Sequence, residues 1–135
     1  MIVLDVSAAA SMVREGVEGR IFSRIGESGE RVIAPSFFRV EAMQVAWKLA
    51  RAQVIADRDV ELLARSIIGY VDEFVPDEEL AAEALSEATR LGHSVYDMLY
   101  FVLARRTAAP LLTCDHALAR LCEENGLAHM AFVEC

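Results

Sequence analysis

Ile2-Val3-Leu4 is a short, β-branched apolar run that stops at Asp5, a pattern that predicts a brief buried strand followed by a helix beginning near Ser7 and Ser11. From Glu15 to Ser28 the apolar positions Val17, Ile21, Phe22 and Ile25 recur at three- and four-residue spacing. That period predicts a second helix, with Gly26 and Gly29 marking its exit. Arg31-Val32-Ile33-Ala34 reads as a strand closed by Pro35, and Ser36 is placed to cap a helix through Phe37, Val40, Val45 and Leu49. Glu41 then lies on that helix. Asp57 and Asp59 open another helix through Leu62, Leu63, Ile67 and Ile68, closed by Gly69, and Tyr70 to Val75 alternates apolar and polar as a strand before Pro76. Asp77-Glu78-Glu79 suits the positive end of a helix carrying Leu80, Ala84, Leu85, Ala88 and Leu91, with Gly92 as its stop. Ser94, three residues before Asp97, resembles a capping box, and the run from Tyr96 to Ala104 predicts a mostly buried helix. Leu111-Leu112-Thr113 is the next strand, Asp115 starts a last helix through Leu118, Leu121 and Cys122 to Gly126, and His129 to Val133 can form a final strand.

Strands alternating with single helices or helix pairs predict a parallel α/β sheet covered on both faces. The chain has 135 residues, shows no internal repeat and has no linker rich in Gly, Ser or Pro, so residues 1–135 are expected to form a single domain. Hydrophobic residues make up 55% and charged ones 25%, enough apolar surface to offset chain entropy and unlike a disordered segment. The formal charge of −8 excludes nucleic-acid binding through a broadly basic surface and leaves only local phosphate contacts. Cys114, Cys122 and Cys135 are odd in number and include no C-x-x-C pair, which fits neither a disulfide framework nor a zinc knuckle and suits a reducing cytosol. With no secretory leader pattern and no apolar segment of spanning length, the expected location is cytoplasmic.

Four carboxylates occupy positions that do not suit a plain surface. Asp5 and Asp115 would sit at the carboxyl ends of parallel strands, where open α/β sheets gather ligands. Asp97 lies among Val95, Tyr96, Met98, Leu99, Tyr100 and Phe101 on a helix too apolar for the surface, and Glu41 lies among Phe37, Phe38, Val40, Ala42 and Met43. Each acid taken singly has an ordinary reading: Asp5, Asp97 and Asp115 as helix-start residues, Glu41 as exposed or paired with Lys48. Taken together, with no matching set of buried basic residues, they are better explained by a shared cation. Oxygen ligands without clustered His or Cys point to Mg²⁺ or Mn²⁺. Such ions can hold a phosphodiester oxygen, activate water and stabilise the leaving oxygen of an in-line displacement.

The segments Val3-Leu4-Asp5-Val6-Ser7-Ala8, Val40-Glu41-Ala42-Met43-Gln44, His93-Ser94-Val95-Tyr96-Asp97-Met98-Leu99-Tyr100 and Leu111-Leu112-Thr113-Cys114-Asp115 resemble the acidic motifs of PIN-domain ribonucleases. Their order and spacing are most similar to the small VapC-type toxins of toxin–antitoxin modules, and the resemblance covers essentially the whole chain. It implies a three-layer α/β/α sandwich with a four- to five-stranded, mainly parallel sheet. It also implies a metal-dependent endoribonuclease that uses Mg²⁺ or Mn²⁺ to hydrolyse RNA. Asp5 and Asp97 would be direct ligands, Asp115 a ligand directly or through water, and Glu41 a ligand or an orienter of the attacking water, with Ser7 and Thr113 in support. The family often carries a further polar or acidic residue shortly after the last aspartate, where this chain has His116, Ala117, Leu118 and Ala119.

The basic residues are 12 Arg and a single Lys. Lys48, Arg51, Arg105 and Arg106 fall on the helices of Glu41 and Asp97 and are the RNA-binding candidates. His93 and His116 read as surface or helix-end histidines, Trp47 as a core or interface residue, and Cys114 as a small buried hydrophobe. The apolar segments Val17–Ile25 and Leu62–Ile68 could meet another chain; by the resemblance, they would form a groove for a cognate antitoxin, and the domain would tend to form a homodimer. Aspartyl-phosphate phosphatases also place an Asp after the first strand, but they want a second Asp where this chain has Ser7 and a late lysine that it lacks; a phospho-receiver domain meets the same missing lysine. The remaining alternative is a PIN-like RNA- or protein-binding module that has lost catalysis, against which stands the retention of all four acids.

Overall fold

A computed structural model describes residues 1–13 and 28–131 of the protein. Strand β1 (Ile2–Leu4) is buried along its whole length, which is what its continuous apolar run requires. It sits at the centre of a five-stranded sheet of order β3-β2-β1-β4-β5. The other strands are β2 (Val32–Pro35), β3 (Glu73–Val75), β4 (Leu111–Thr113) and β5 (His129–Ala131), and every neighbouring pair is parallel. Val3 pairs with Ile33 on one side and with Leu111 on the other. The sheet is therefore built outward in both directions from the first strand of the chain.

Helix α1 (Val6–Val13) leaves β1 directly. The remaining helices are α2 (Phe38–Arg51), α3 (Val60–Ile68, preceded by a 3-10 turn at Asp57–Asp59), α4 (Asp77–Leu91), α5 (Val95–Thr107) and α6 (His116–Glu124). The layers form an α/β/α sandwich. Helix α5 lies on β1, β2 and β4 with α4 packed along it, while α1 packs against α2, α3 and β4. Every residue of α5 from Met98 to Ala104 is buried, and Tyr100, Phe101, Leu111 and Leu112 are among the largest side chains fully enclosed. A helix apolar on all sides can survive only in such an interior.

Local signals fix the helix ends. Ser94 Oγ accepts the Asp97 N–H at 3.3 Å and caps α5, and Gly92 stops α4 in the left-handed conformation (φ 66°) that glycine adopts without steric cost. Ser36 does not cap α2 as its spacing predicts. That helix starts one residue later, Ser36 Oγ donates to the Val75 carbonyl at 3.2 Å, and the Phe37 N–H donates instead to Asp77 Oδ1 at 3.0 Å. A carboxylate from the start of α4 thus satisfies an amide at the start of α2. The third strand covers only the end of the predicted 70–75 segment, because Tyr70 and Val71 still donate to helix carbonyls at Ile67 and Ile68. Cys114 is half-buried and disulfide-bonded, not the buried apolar thiol its neighbours suggest; Cys122 is a buried free thiol. The predicted 15–28 helix lies outside the described residues except at its last position, as does the end of the predicted 129–133 strand.

Phe101 is wholly enclosed between the sheet and α4, so Phe101→Ala is expected to cost about 3–5 kcal/mol of folding stability through lost burial and a residual cavity, measured by denaturant unfolding.

Candidate active site

Strand β1 is flanked by β2 on one side and by β4 on the other, so the connections after β1 and β4 diverge and leave a crevice at their carboxyl ends. Asp5 ends β1 at the floor of that crevice and is buried, with 5% of its surface exposed. Its N–H donates to the Leu112 carbonyl of the neighbouring strand at 2.9 Å, which holds it against β4. Two hydroxyls serve its carboxylate: Ser7 Oγ and Thr113 Oγ1 each donate to Asp5 Oδ2 at 2.6 Å. Those hydroxyl oxygens in turn accept backbone N–H groups from Cys114 and Asp115, both at 2.9 Å. Each hydroxyl is thereby oriented by a main-chain donor and spends its own proton on Asp5. Burial pushes the Asp5 carboxyl above its ordinary range, the two hydroxyl bonds oppose that shift, and repulsion from Asp97 and Asp115 adds to it.

Asp97 stands in the first turn of α5 and Asp115 immediately before α6. Asp115 Oδ1 accepts the N–H groups of Ala117 at 2.9 Å and Leu118 at 3.1 Å, so it caps α6 with one oxygen and leaves the other uncommitted by the cap. One ligand-type atom from each of His93, Asp97 and Asp115 lies within 4.8 Å of the others. His93 Nε2 is 2.9 Å from Asp97 Oδ2, but outside hydrogen-bond geometry, and it is buried with no hydrogen-bond partner among the described residues. His93 and Asp97 thus form a close pair beside Asp115, and nitrogen and carboxylate oxygen are both donor types that a divalent cation takes.

Glu41, on α2, completes the acidic group. It does not pair with Lys48, the ordinary reading of its sequence. Tyr100 OH donates to Glu41 Oε1 at 2.5 Å from the buried middle of α5. Burial first, and then repulsion from Asp5, Asp97 and Asp77, raise the Glu41 carboxyl to about 7, against the lowering effect of the tyrosine bond. Tyr100 is itself held far above its ordinary range by burial and then by Glu41, Asp5 and Asp77, so it stays a proton donor at any ordinary pH. The fold therefore brings Asp5, Glu41, Asp97 and Asp115 into one electrostatically coupled group with Ser7 and Thr113 beneath it.

The basic candidates separate. Lys48 lines the groove beside Glu41 and Asp97. Arg51 lies over the exposed ring of Trp47, 6.0 Å from its centroid, near a different hollow. Arg105 and Arg106 sit at the far end of α5 and bond Glu83 at 2.5 and 2.7 Å. His116 is exposed at the start of α6. Sequence reasoning passed over His93, Tyr100 and Asp77 as site residues. Tyr100 had a signal, since three residues after Asp97 is the same helix face. His93 stands in the same segment as Asp97, four residues before it, whereas Asp77 belongs to another helix and no local pattern ties it to the site.

The PIN domain family matches residues 2–124 of the chain. Ribonuclease VapC12 of Mycobacterium tuberculosis, in strains CDC 1551 / Oshkosh and ATCC 25618 / H37Rv, is 31% identical to it over 120 residues, covering 89% of this chain and 91% of the relative.

The raised carboxyls give a signed pH dependence. A group that binds its proton more tightly when folded stabilises the fold fully below its unfolded pKa, and that contribution is lost as pH rises through the folded value. For Glu41 the window runs from 4.5 to about 7. With metal chelated, the melting temperature of the wild type is expected to fall across this window, and that of Glu41→Gln to fall less. Parallel pH series of thermal melts for the two proteins check it; equal slopes would contradict the shift.

Proposed function

The chain belongs to the PIN-domain family, among its VapC-type members, and on that premise we propose that it is an endoribonuclease that hydrolyses RNA with water at an acidic Mg²⁺ or Mn²⁺ centre, acting as the toxin of a toxin–antitoxin module. The observation that carries the reading is the packing of Asp5, Glu41, Asp97 and Asp115 at the switch point of a parallel sheet, where their mutual repulsion and burial disfavour full ionisation in the absence of a cation.

The donor set fits a hard or borderline divalent ion: carboxylate oxygens, with the single nitrogen of His93 Nε2 beside Asp97 and Asp115. Asp97 and Asp115, with Asp5 beside them, would hold the ion. A bound Mg²⁺ or Mn²⁺ supplies Lewis acidity toward phosphate oxygens and eases deprotonation of water. Ser7 and Thr113 keep Asp5 in one orientation. Glu41, with its carboxyl raised to about 7, is suited to take a proton from the attacking water, and Tyr100 fixes the direction in which it does so. The water oxygen bonds to phosphorus as the bond to the leaving ribose oxygen breaks, and that oxygen is protonated from solvent. Lys48 would meet a neighbouring phosphate. In this role Arg51, Arg105 and Arg106 are weaker candidates, because they lie off the groove or are engaged by Glu83.

The same reading takes residues 1–135 as a single domain, cytoplasmic and homodimeric, inhibited by a cognate antitoxin. No helix among the described residues is long and apolar enough to cross a membrane. The apolar side chains of Val40, Met43, Trp47 and Leu62 are more than half exposed on α2 and α3, and they supply a surface for a protein partner.

Purified protein incubated with a pool of structured RNAs is expected to cut in Mg²⁺ or Mn²⁺ and not in chelator. Asp97→Asn is expected to lose more than the ~10–100-fold that removing a group behind a metal ligand costs. Intact RNA under every condition, from protein shown folded and free of inhibitor, would overturn the nuclease reading and favour a binding module.

A further inference from the structure

A groove of about 620 Å³ opens beside the acidic group and shares Glu41 and Asp97 with it. Its size falls within the ~300–1,000 Å³ of sites that take small organic ligands. Along one wall Glu41, Gln44 and Lys48 follow one another at three- and four-residue steps on α2, so they form a single stripe from the acids outward. The stripe spans about 10 Å, at 1.5 Å rise per residue. Gln44 and Lys48 are exposed, and neither side chain makes a hydrogen bond or ion pair among the described residues. Lys48 is also the only lysine in the chain.

The opposite wall is aromatic. Tyr96, the neighbour of Asp97, is 59% exposed in the first turn of α5. One face of its ring is backed by Phe37 from the start of α2, with centroids 4.9 Å apart and planes 14° from parallel. A large aromatic ring left that open is unusual where core burial alone is at work, and here its partner fixes its plane while its other face stays free. The groove thus combines a stiff flat platform from α5 with an amide that has both a donor and an acceptor and an ammonium group, the latter two on the α2 stripe that begins at Glu41.

We propose that this groove is a nucleotide subsite for single-stranded RNA: a base next to the scissile phosphate stacks on the free face of Tyr96, its edge hydrogen-bonds to the Gln44 amide, and the following phosphate meets Lys48. The inference rests on the nuclease reading for the word scissile, and on the groove itself for the rest. Stacking on a side chain requires an unstacked base, so the subsite selects loops and single strands over duplex. An acidic peptide is disfavoured as occupant because Glu41 and Asp97 line one end of the groove and Asp77 lies near Glu41. A nucleotide brings its negative charge on a phosphate that can turn toward Lys48, while its uncharged base lies against the ring. Gln44 gives the subsite a means of preferring some bases over others, since a base edge that mismatches the amide leaves polar groups unpaired.

The test uses fluorescein-labelled RNA oligonucleotides of mixed sequence, single-stranded and as duplex, titrated with the full chain in chelator so that binding is read without cleavage. Tyr96→Ala is expected to weaken single-strand binding about tenfold or more, the cost of losing one stacked base, and Tyr96→Phe to restore it. Gln44→Ala is expected to flatten the base preference at one position beside the cut when cleavage products are sequenced. Thermal melts confirm that each variant is folded; Tyr96→Phe provides the control in which the ring pair is kept. Single-strand affinity unchanged in folded Tyr96→Ala, or equal affinity for duplex, overturns the subsite even if metal-dependent cutting persists. Binding that depends on Tyr96 in a protein that never cuts supports the subsite and overturns the nuclease reading instead.

Discussion

A buried carboxylate at the end of the central strand sets the terms for the rest of the structure. Asp5 cannot be moved from the crevice floor without breaking its main-chain bond to Leu112, and it cannot be left there without donors. Ser7 and Thr113 supply them from α1 and β4, and the main chain at Cys114 and Asp115 orients both hydroxyls. The charge is thus accommodated by a network that also locks β1 to β4 and fixes where α6 begins. Replacing either hydroxyl by an apolar group would leave both a main-chain N–H and part of a buried acid unserved, a heavier loss than one ordinary hydrogen bond.

The fold tolerates three further acids around Asp5 because each has a structural attachment of its own. Asp115 caps α6, Asp97 follows the Ser94 cap of α5, and Glu41 is held by Tyr100. Burial first, with repulsion among the acids adding to it, pushes Asp5 and Glu41 upward, and the hydroxyl bonds they accept only oppose that shift. By contrast Glu83, paired with Arg105 and Arg106 on the outer surface, is held below its ordinary range, the usual outcome when an acid has a fixed cation beside it. One chain therefore contains both kinds of acid, and the difference between them separates a buried acidic group from a surface ion pair.

Much of this was legible in the residues. The alternation of strand and helix, the cap at Ser94, the stop at Gly92 and the enclosed run through Phe101 rest on short-range periodicity and turn chemistry, and each holds in the folded chain. The positions of the acids at strand ends and on apolar helices were visible too. The same local logic misjudged Ser36, because an aspartate from a distant helix took the role that the cap would have filled.

What the sequence determined by itself is the set of elements and the presence of carboxylates where burial penalises them, since both follow from spacing along the chain. What only the tertiary structure decided is company. The order β3-β2-β1-β4-β5 brings Thr113 to Asp5 across 108 residues, Tyr100 to Glu41 across 59, and Phe37 against Tyr96. It also brings His93, a residue beside a turn, up against Asp97 and near Asp115. No period or cap encodes those meetings, because they depend on which strands pair and which helix faces close over them, and that choice is made by packing the whole core at once.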